Sequence, residues 1–233
     1  MTESSPFAPP VTVAWADHAP PPRGGLHVWR IALDAPDHAD LRVLSAGETA
    51  RADRLADPAR RRRFIALRVA ARHILARYVE AEPHAIEFGA GHRGKPHVTR
   101  PPTPWAFNLS DSGALALLAL DDRGPVGVDL EGLRAVARWD RIARRTFDEP
   151  AHRALAAAPA DARDELFLAH WTAHEARQKA TGEGLHGVRA DAAQWQVLHF
   201  RPDPGWIAAL AFAAGVEPRV SWLDYRHVPP AAP

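Results

Sequence analysis

Three carboxylates and one lysine in this sequence are spaced to act together. In "GPVGVDLEGL" (residues 124–133), Asp129 and Glu131 stand two apart, with Leu130 between them. Along a strand, residues i and i+2 point to one face, so both carboxylates point the same way. Like charges on one face repel unless something cationic sits between them. Further on, "WTAHEARQK" (171–179) sets Trp171, Glu175 and Lys179 four residues apart on one helix face. Taken alone, Glu175 and Lys179 are an ordinary intrahelical ion pair. Beside Asp129 and Glu131, Glu175 completes a trio of carboxylates, two from a strand and one from a helix. Such a trio suits a hard divalent cation such as Mg2+, with oxygen ligands and retained waters. Lys179, one turn beyond Glu175, is then placed to meet a phosphate on that metal.

The elements around these residues follow from pattern. "LHVWRIAL" (26–33) alternates apolar and polar and reads as a strand. "RRRRFIALRVAARHILARYV" (60–79) carries Phe64, Leu67, Ala71, Ile74, Leu75 and Tyr78 at helical spacing. Arg61, Arg68 and Arg72 fall on one flank of that face. "IEFGAGHRGKPHV" (86–98) reads as strand, Gly-rich turn and strand, and "WAFNLSDSGALALLALDDRGPVGVDLEG" (105–132) as three strands. Within the latter, "DDRGP" predicts a hairpin. The helix carrying Glu175 is the clearest in the chain and ends at Gly182 and Gly184. "WQVLHF", "GWIAALAF" and "VSWLDY" are strand candidates in the tail. Residues 1–24, rich in Pro and small residues, read as a loose arm.

"VGVDLE" and "WTAHEARQK", with "RGKPHV" and "FNLSDSG" upstream, resemble the signature of the Sfp-type 4′-phosphopantetheinyl transferases. That signature is a G-[IV]-D-x-E strand followed by W-x-x-K-E-[AS]-x-x-K, with a Gly-Lys-Pro turn and an F-N-[IL]-S-H-[ST] strand before them. The four blocks stand in family order over residues 50–185. The resemblance implies an α+β fold of two similar α/β halves in a pseudo-twofold arrangement. Residues 25–121 would form the half on the nucleotide side, and 122–233 the half on the metal and carrier side. It also implies transfer of the phosphopantetheine arm of coenzyme A to a serine of an acyl or peptidyl carrier protein, releasing 3′,5′-ADP. By the same resemblance, Asp129, Glu131 and Glu175 would hold Mg2+. Glu175 would accept the serine proton, directly or through a water, and Lys179 would offset phosphate charge. Arg51, Arg63, Arg93, Gly94, Lys95, Pro96, Ser110 and Asp111, with Lys179, would border coenzyme A. Family spacing selects Arg63 for the ligand, leaving the stripe of Arg61, Arg68 and Arg72 mainly structural. Two positions depart from the family. His174 stands where it has the lysine before the metal glutamate, and Asp111 where it has a histidine after the serine.

Bulk composition is consistent with this reading. A chain of 233 residues, 46% hydrophobic and 24% charged, can bury a real core. With no cysteine, disulfides and thiolate metal sites are excluded. "MTESSPFAPP" lacks a signal-peptide pattern, and "GALALLAL" is too short to span a bilayer. The expectation is a soluble, cytoplasmic monomer without membrane contact. Net charge is +1, yet residues 51–77 hold nine Arg against two Asp, a patch that attracts anions. A nucleic-acid binder using that patch is an alternative that leaves the carboxylates unexplained, so nucleic acid is not an expected partner. A non-catalytic relative that binds coenzyme A or a carrier protein is the other. "GAGHRG" lacks the G-K-[ST] ending of a phosphate loop. His170 and His174, at i and i+4, have no third ligand in a recognised motif.

Overall fold

The computed structural model describes residues 10–14, 16–17, 24–34, 40–91, 94–182, 192–215, 217 and 219–226. The chain runs β1 (Val11–Thr12), β2 (Ala16–Asp17), β3 (Leu26–Ala32), α1 (Ala46–Asp53), α2 (Pro58–Val79), β4 (Glu87–Ala90), β5 (Pro96–Arg100), β6 (Ala106–Ser112), β7 (Leu115–Asp121) and β8 (Gly127–Gly132). It continues with α3 (Trp139–Thr146), α4 (Glu149–Ala157), α5 (Ala160–Thr181), β9 (Trp195–Arg201), β10 (Trp206–Ala213) and β11 (Val220–Tyr225). Strands form one sheet in the order β1-β9-β10-β8, a second in the order β2-β11-β3-β7-β6, and the hairpin β4-β5. The fold is therefore α+β. Of the 1–24 arm, the described residues include two short strands, β1 beside β9 and β2 beside β11.

Alternation decides how the layers meet. In β8, Val128 and Leu130 turn inward to a core shared with Leu26 and Val28 of β3, Leu117 of β7 and Leu210 of β10. The two large sheets pack face to face through that core. His27, Trp29 and Ile31, the odd-numbered residues of β3, point outward instead, and Trp29 and Ile31 pack with Ile74 and Leu75 of α2. β7, "LALLALD", is buried along its whole length because both of its faces are covered, which is why its sequence is a continuous apolar run. α2 and α5, each of 22 residues, lie on the outer faces of the two sheets. Asp57 caps α2 by accepting from the Ala59 N–H, with Pro58 in the first turn. Gly182, at φ 74°, ends α5 as its position predicts.

One feature differs from the sequence reading. "DDRGP" does not close a hairpin: β7 pairs with β3 and β6, β8 pairs with β10, and the segment crosses from one sheet to the other. One of its aspartates bonds within the segment and the other elsewhere. Asp121 accepts from the backbone and guanidinium of Arg123, and Asp122 accepts from the Gly25 N–H. β11, late in the chain, pairs with β3 and so completes the sheet begun by the early strands.

The sheets also meet at an unusual edge. β6 and β8 run alongside each other without a backbone ladder between them. Side chains take its place: Asn108 Oδ1, Ser110 Oγ and Ser112 Oγ accept from the N–H groups of Val128, Leu130 and Gly132, at 2.8, 3.2 and 3.0 Å. The polar positions of "FNLSDS" thus satisfy alternate donors of β8 that would otherwise be buried and unpaired.

Candidate active site

Gly127, Asp129 and Glu131 occupy the face of β8 turned away from the inner core, toward α5. The approach of helix and strand is extreme. A Cβ at Gly127 would lie 2.0 Å from the Ala176 carbonyl oxygen and 2.5 Å from the Ala180 nitrogen. Alanines line the contact on both sides: Ala173, Ala176 and Ala180 of α5 against Ala209 and Ala211 of β10. Small residues bring the backbones together, and this closeness delivers the side chains of α5 to Asp129.

A cavity of about 270 Å3 opens where β6, β8 and α5 converge. Leu109, Ser110 and Asp111 line it from β6, Asp129, Leu130 and Glu131 from β8, and Trp171, Glu175 and Lys179 from α5. Six of the residues expected to form the site are therefore together: Ser110, Asp111, Asp129, Glu131, Glu175 and Lys179. Each β8 carboxylate has its own cation from the chain, Lys179 for Asp129 and Arg134 for Glu131. Lys179 Nζ donates to Asp129 Oδ1 at 2.7 Å and to Ser110 Oγ at 3.0 Å. Ser110 donates to Asp129 at 2.9 Å and accepts from Lys179 and the Leu130 N–H, so its hydroxyl is fully engaged. Glu131 pairs with Arg134 at 2.9 Å.

Glu175 stands apart from this pairing. It is 6% exposed, and its Oε1 has no hydrogen-bond partner among the described residues. Burial pushes its carboxyl up to about 7, and the neighbouring charge of Asp129 adds to the effect against the pull of Lys179. Burial also raises Asp129, while Lys179 draws it back toward the ionised form. Among the described residues, no three His, Asp or Glu side chains form a ready-made metal cluster. The donor set nonetheless fits a hard cation: Asp129, Glu131 and Glu175 are among four carboxylates that line one cavity, and one buried carboxylate oxygen of Glu175 is unsatisfied.

The other expected residues lie outside that lining. Arg63 pairs with Asp34 at 2.7 and 2.9 Å, and Arg51 lies over the ring of Phe64. Gly94 and Pro96 flank Lys95 at the hairpin tip, and Lys95 Nζ donates to the Ala180 and Val126 carbonyls at 3.0 and 3.2 Å. Arg93 lies outside the described residues. The arginine stripe is structural: Arg68 and Arg72 converge on Glu48, and Arg61 pairs with Asp53. Sequence reasoning missed Gly127 as a packing residue and Asn108 and Ser112 as spacers. The signal for the spacers was present, as three polar residues at 108, 110 and 112 within a strand.

The chain is similar in sequence to known 4′-phosphopantetheinyl transferases. Residues 125–226 match the model of the 4′-phosphopantetheinyl transferase superfamily. The chain is 35% identical over 214 residues to the 4′-phosphopantetheinyl transferase HetI of Nostoc sp., a match covering 83% of this chain and 90% of that protein. It is 34% identical over 124 residues to the 4′-phosphopantetheinyl transferase psf-1 of Bacillus pumilus, covering 53% and 52%. With the 4′-phosphopantetheinyl transferase AcpT of Escherichia coli strain K12 it shares 37% identity over 114 residues, covering 49% and 56%.

Proposed function

Because the chain belongs to the 4′-phosphopantetheinyl transferase family, we propose that its β6–β8–α5 cavity moves the phosphopantetheine of coenzyme A to a carrier-protein serine. The chain is an enzyme of this transferase class. The observation that carries the assignment of the site is the meeting of Asp129, Glu131, Glu175 and Lys179 in one cavity. In the reaction, the serine oxygen bonds to the phosphorus that bears pantetheine. The bridging P–O bond breaks, and 3′,5′-ADP leaves with the electron pair.

Glu175 takes the serine proton, directly or through a water. Its burial favours the protonated form, so it accepts a proton more readily than an exposed carboxylate does. Asp129, Glu131 and Glu175 would hold Mg2+, which when bound neutralises charge on the diphosphate. Lys179 moves between two tasks. Without ligand it balances Asp129, and with the donor present it offsets charge on the phosphate. By the family resemblance, Ser110 and Asp111 would face the nucleotide end of the donor, and Arg51, Arg63, Arg93, Gly94 and Pro96 would border it.

We also place the nucleotide side in the half built from 25–121, and the metal and carrier side in the half built from 122–233. A pseudo-twofold relation between them is supported by one 22-residue helix on each large sheet, with β6 and β8 meeting at the sheet edges. Among the described residues no helix is long and apolar enough to cross a membrane.

The test is mass spectrometry of an apo carrier protein incubated with the enzyme, coenzyme A and Mg2+. A gain of one phosphopantetheine on serine, with release of 3′,5′-ADP, is the expected result. A carrier that binds without gaining mass would instead identify a non-catalytic binding relative.

A further inference from the structure

We infer that Lys95 is a positioning residue for this transfer: it ties the end of α5 to the start of β8 and thereby fixes where Lys179 stands in the cavity. The inference rests on the transferase reading above. Lys95 follows Gly94, whose φ of 82° turns the chain between β4 and β5. The tip is closed by the Gly91 N–H donating to the Lys95 carbonyl at 2.8 Å and the Gly94 N–H to the Gly91 carbonyl at 3.0 Å. Phe88 of β4 and Val98 of β5 pack against the α2 core, so the hairpin that projects Lys95 is anchored to it.

The ammonium of Lys95 joins two carbonyls from separate elements. Ala180 lies in the last turn of α5, where carbonyls have no partner within the helix and the helix dipole favours a cation. Val126 immediately precedes β8. Ala180 adjoins Lys179, and Val126 is three residues from Asp129. A Cβ built on Gly182 would meet the Lys95 stem at 3.4 Å, so the helix cap and that stem are in van der Waals reach. Lys95 does not line the cavity. Burial brings its pKa down to about 8, which leaves it mainly charged at neutral pH. Without this tether, the final turn of α5 and the start of β8 separate more freely. The cost then falls on the placement of Lys179 and on the transfer step, and nucleotide binding is spared.

Lys95→Met keeps the unbranched apolar stem of the side chain and removes the terminal donor. The full chain is assayed with coenzyme A, Mg2+ and one apo carrier protein. Binding of adenosine 3′,5′-diphosphate is measured alongside by calorimetry. The expected result is a fall in kcat of about tenfold or more, with Kd for the diphosphate changed by less than about threefold. Because Lys95 acts through Lys179, the Lys95→Met and Lys179→Met double variant should match Lys179→Met alone within about threefold. Lys95→Arg, which keeps a buried cation with several donors, should recover most of the loss. A Kd raised by about tenfold or more would overturn the proposal and make Lys95 a nucleotide ligand. So would losses that multiply in the double variant, or an unchanged kcat in folded Lys95→Met. If Lys95→Met does not fold, Lys95→Gln is read by the same criteria. Failure of the transferase reading shows separately, as absence of transfer by the wild type.

Discussion

Replacing Gly127 with alanine places a methyl group where the backbones of β8 and α5 leave no room. The added Cβ would sit 2.0 Å from the Ala176 carbonyl oxygen and 2.5 Å from the Ala180 nitrogen, both main-chain atoms of a helix. Neither can swing aside as the tip of a side chain would. Restoring an ordinary contact of 3.4 Å from 2.0 Å asks α5 to retreat by about 1.4 Å. Overpacking of this kind costs about 1–3 kcal/mol of stability, or more where the backbone must move. The same displacement would break a Lys179–Asp129 bond of 2.7 Å and the Lys95 bond to Ala180. A misplacement of about 1 Å in a catalytic group can lower the rate by about a hundredfold. Urea unfolding followed by circular dichroism, with transfer kinetics on the folded protein, measures both effects. Gly124→Ala is the control: a Cβ there meets nothing within 4 Å, and stability should change by less than about 0.5 kcal/mol. If Gly127→Ala matched this control in unfolding midpoint and in kcat/KM, the account of how α5 and β8 build the site would be refuted.

Asp129→Ala and Glu175→Gln should each slow transfer by about a hundredfold or more, the ~3 kcal/mol expected for a lost electrostatic stabiliser, as read by kcat/KM on folded protein. Near-normal rates in either would sink the site assignment. Asp111 is exposed at the cavity beside Ser110, where a carboxylate about 5 Å from a phosphate dianion costs about 1–3 kcal/mol. Coenzyme A and dephospho-coenzyme A should therefore differ in kcat/KM by less than about tenfold, and Asp111→His should increase the preference for coenzyme A. A wild-type preference of about a hundredfold in donor competition would contradict this. His170 and His199 are held down to about 4, by burial first and by the charge of Arg177 as well. Their NMR resonances should stay those of neutral imidazole at pH 5. Below the ordinary histidine value of 6.5 the unfolded chain binds the extra protons, so both sites lose stability as pH falls from 6.5 to about 4. Glu175 opposes them, since its raised carboxyl loses stability as pH rises from 4.5 to about 7. Comparing acid unfolding of wild type and Glu175→Gln separates the two contributions.

What could be read in advance depended on whether the cause was local. Alternation along "VGVDLE" put Asp129 and Glu131 on one face, and helical spacing put Glu175 and Lys179 on another; both hold because each periodicity belongs to a single element. The "DDRGP" turn was misread because an Asp-centred turn forms equally well between paired strands and between diverging ones. Lys95 was placed beside coenzyme A by family resemblance, and the partners of its ammonium were not legible. Its carbonyl partners lie 31 and 85 residues away, and no spacing rule connects them. Gly127 carries no mark of its function either, since a glycine forced by close approach looks like any other until the helix above it is placed. Arg68 and Arg72 read as structural from sequence, and Glu48, which binds both, explains why.

The hydroxyls of Ser110 and Ser112 and the amide of Asn108 also determine how wide the cavity is. Strands joined by a backbone ladder stand about 4.8 Å apart, which would close the floor between β6 and β8. Here each N–H of the seam reaches a side-chain oxygen instead, and the strands are propped open by the reach of those side chains. The slot so created runs between Leu109–Asp111 on one bank and Asp129–Glu131 on the other. The same three side chains occupy donors that an exposed strand edge would offer to a foreign chain. Width and protection come from one set of atoms, so a longer or shorter polar residue in this row would resize the reaction chamber while leaving both sheets intact.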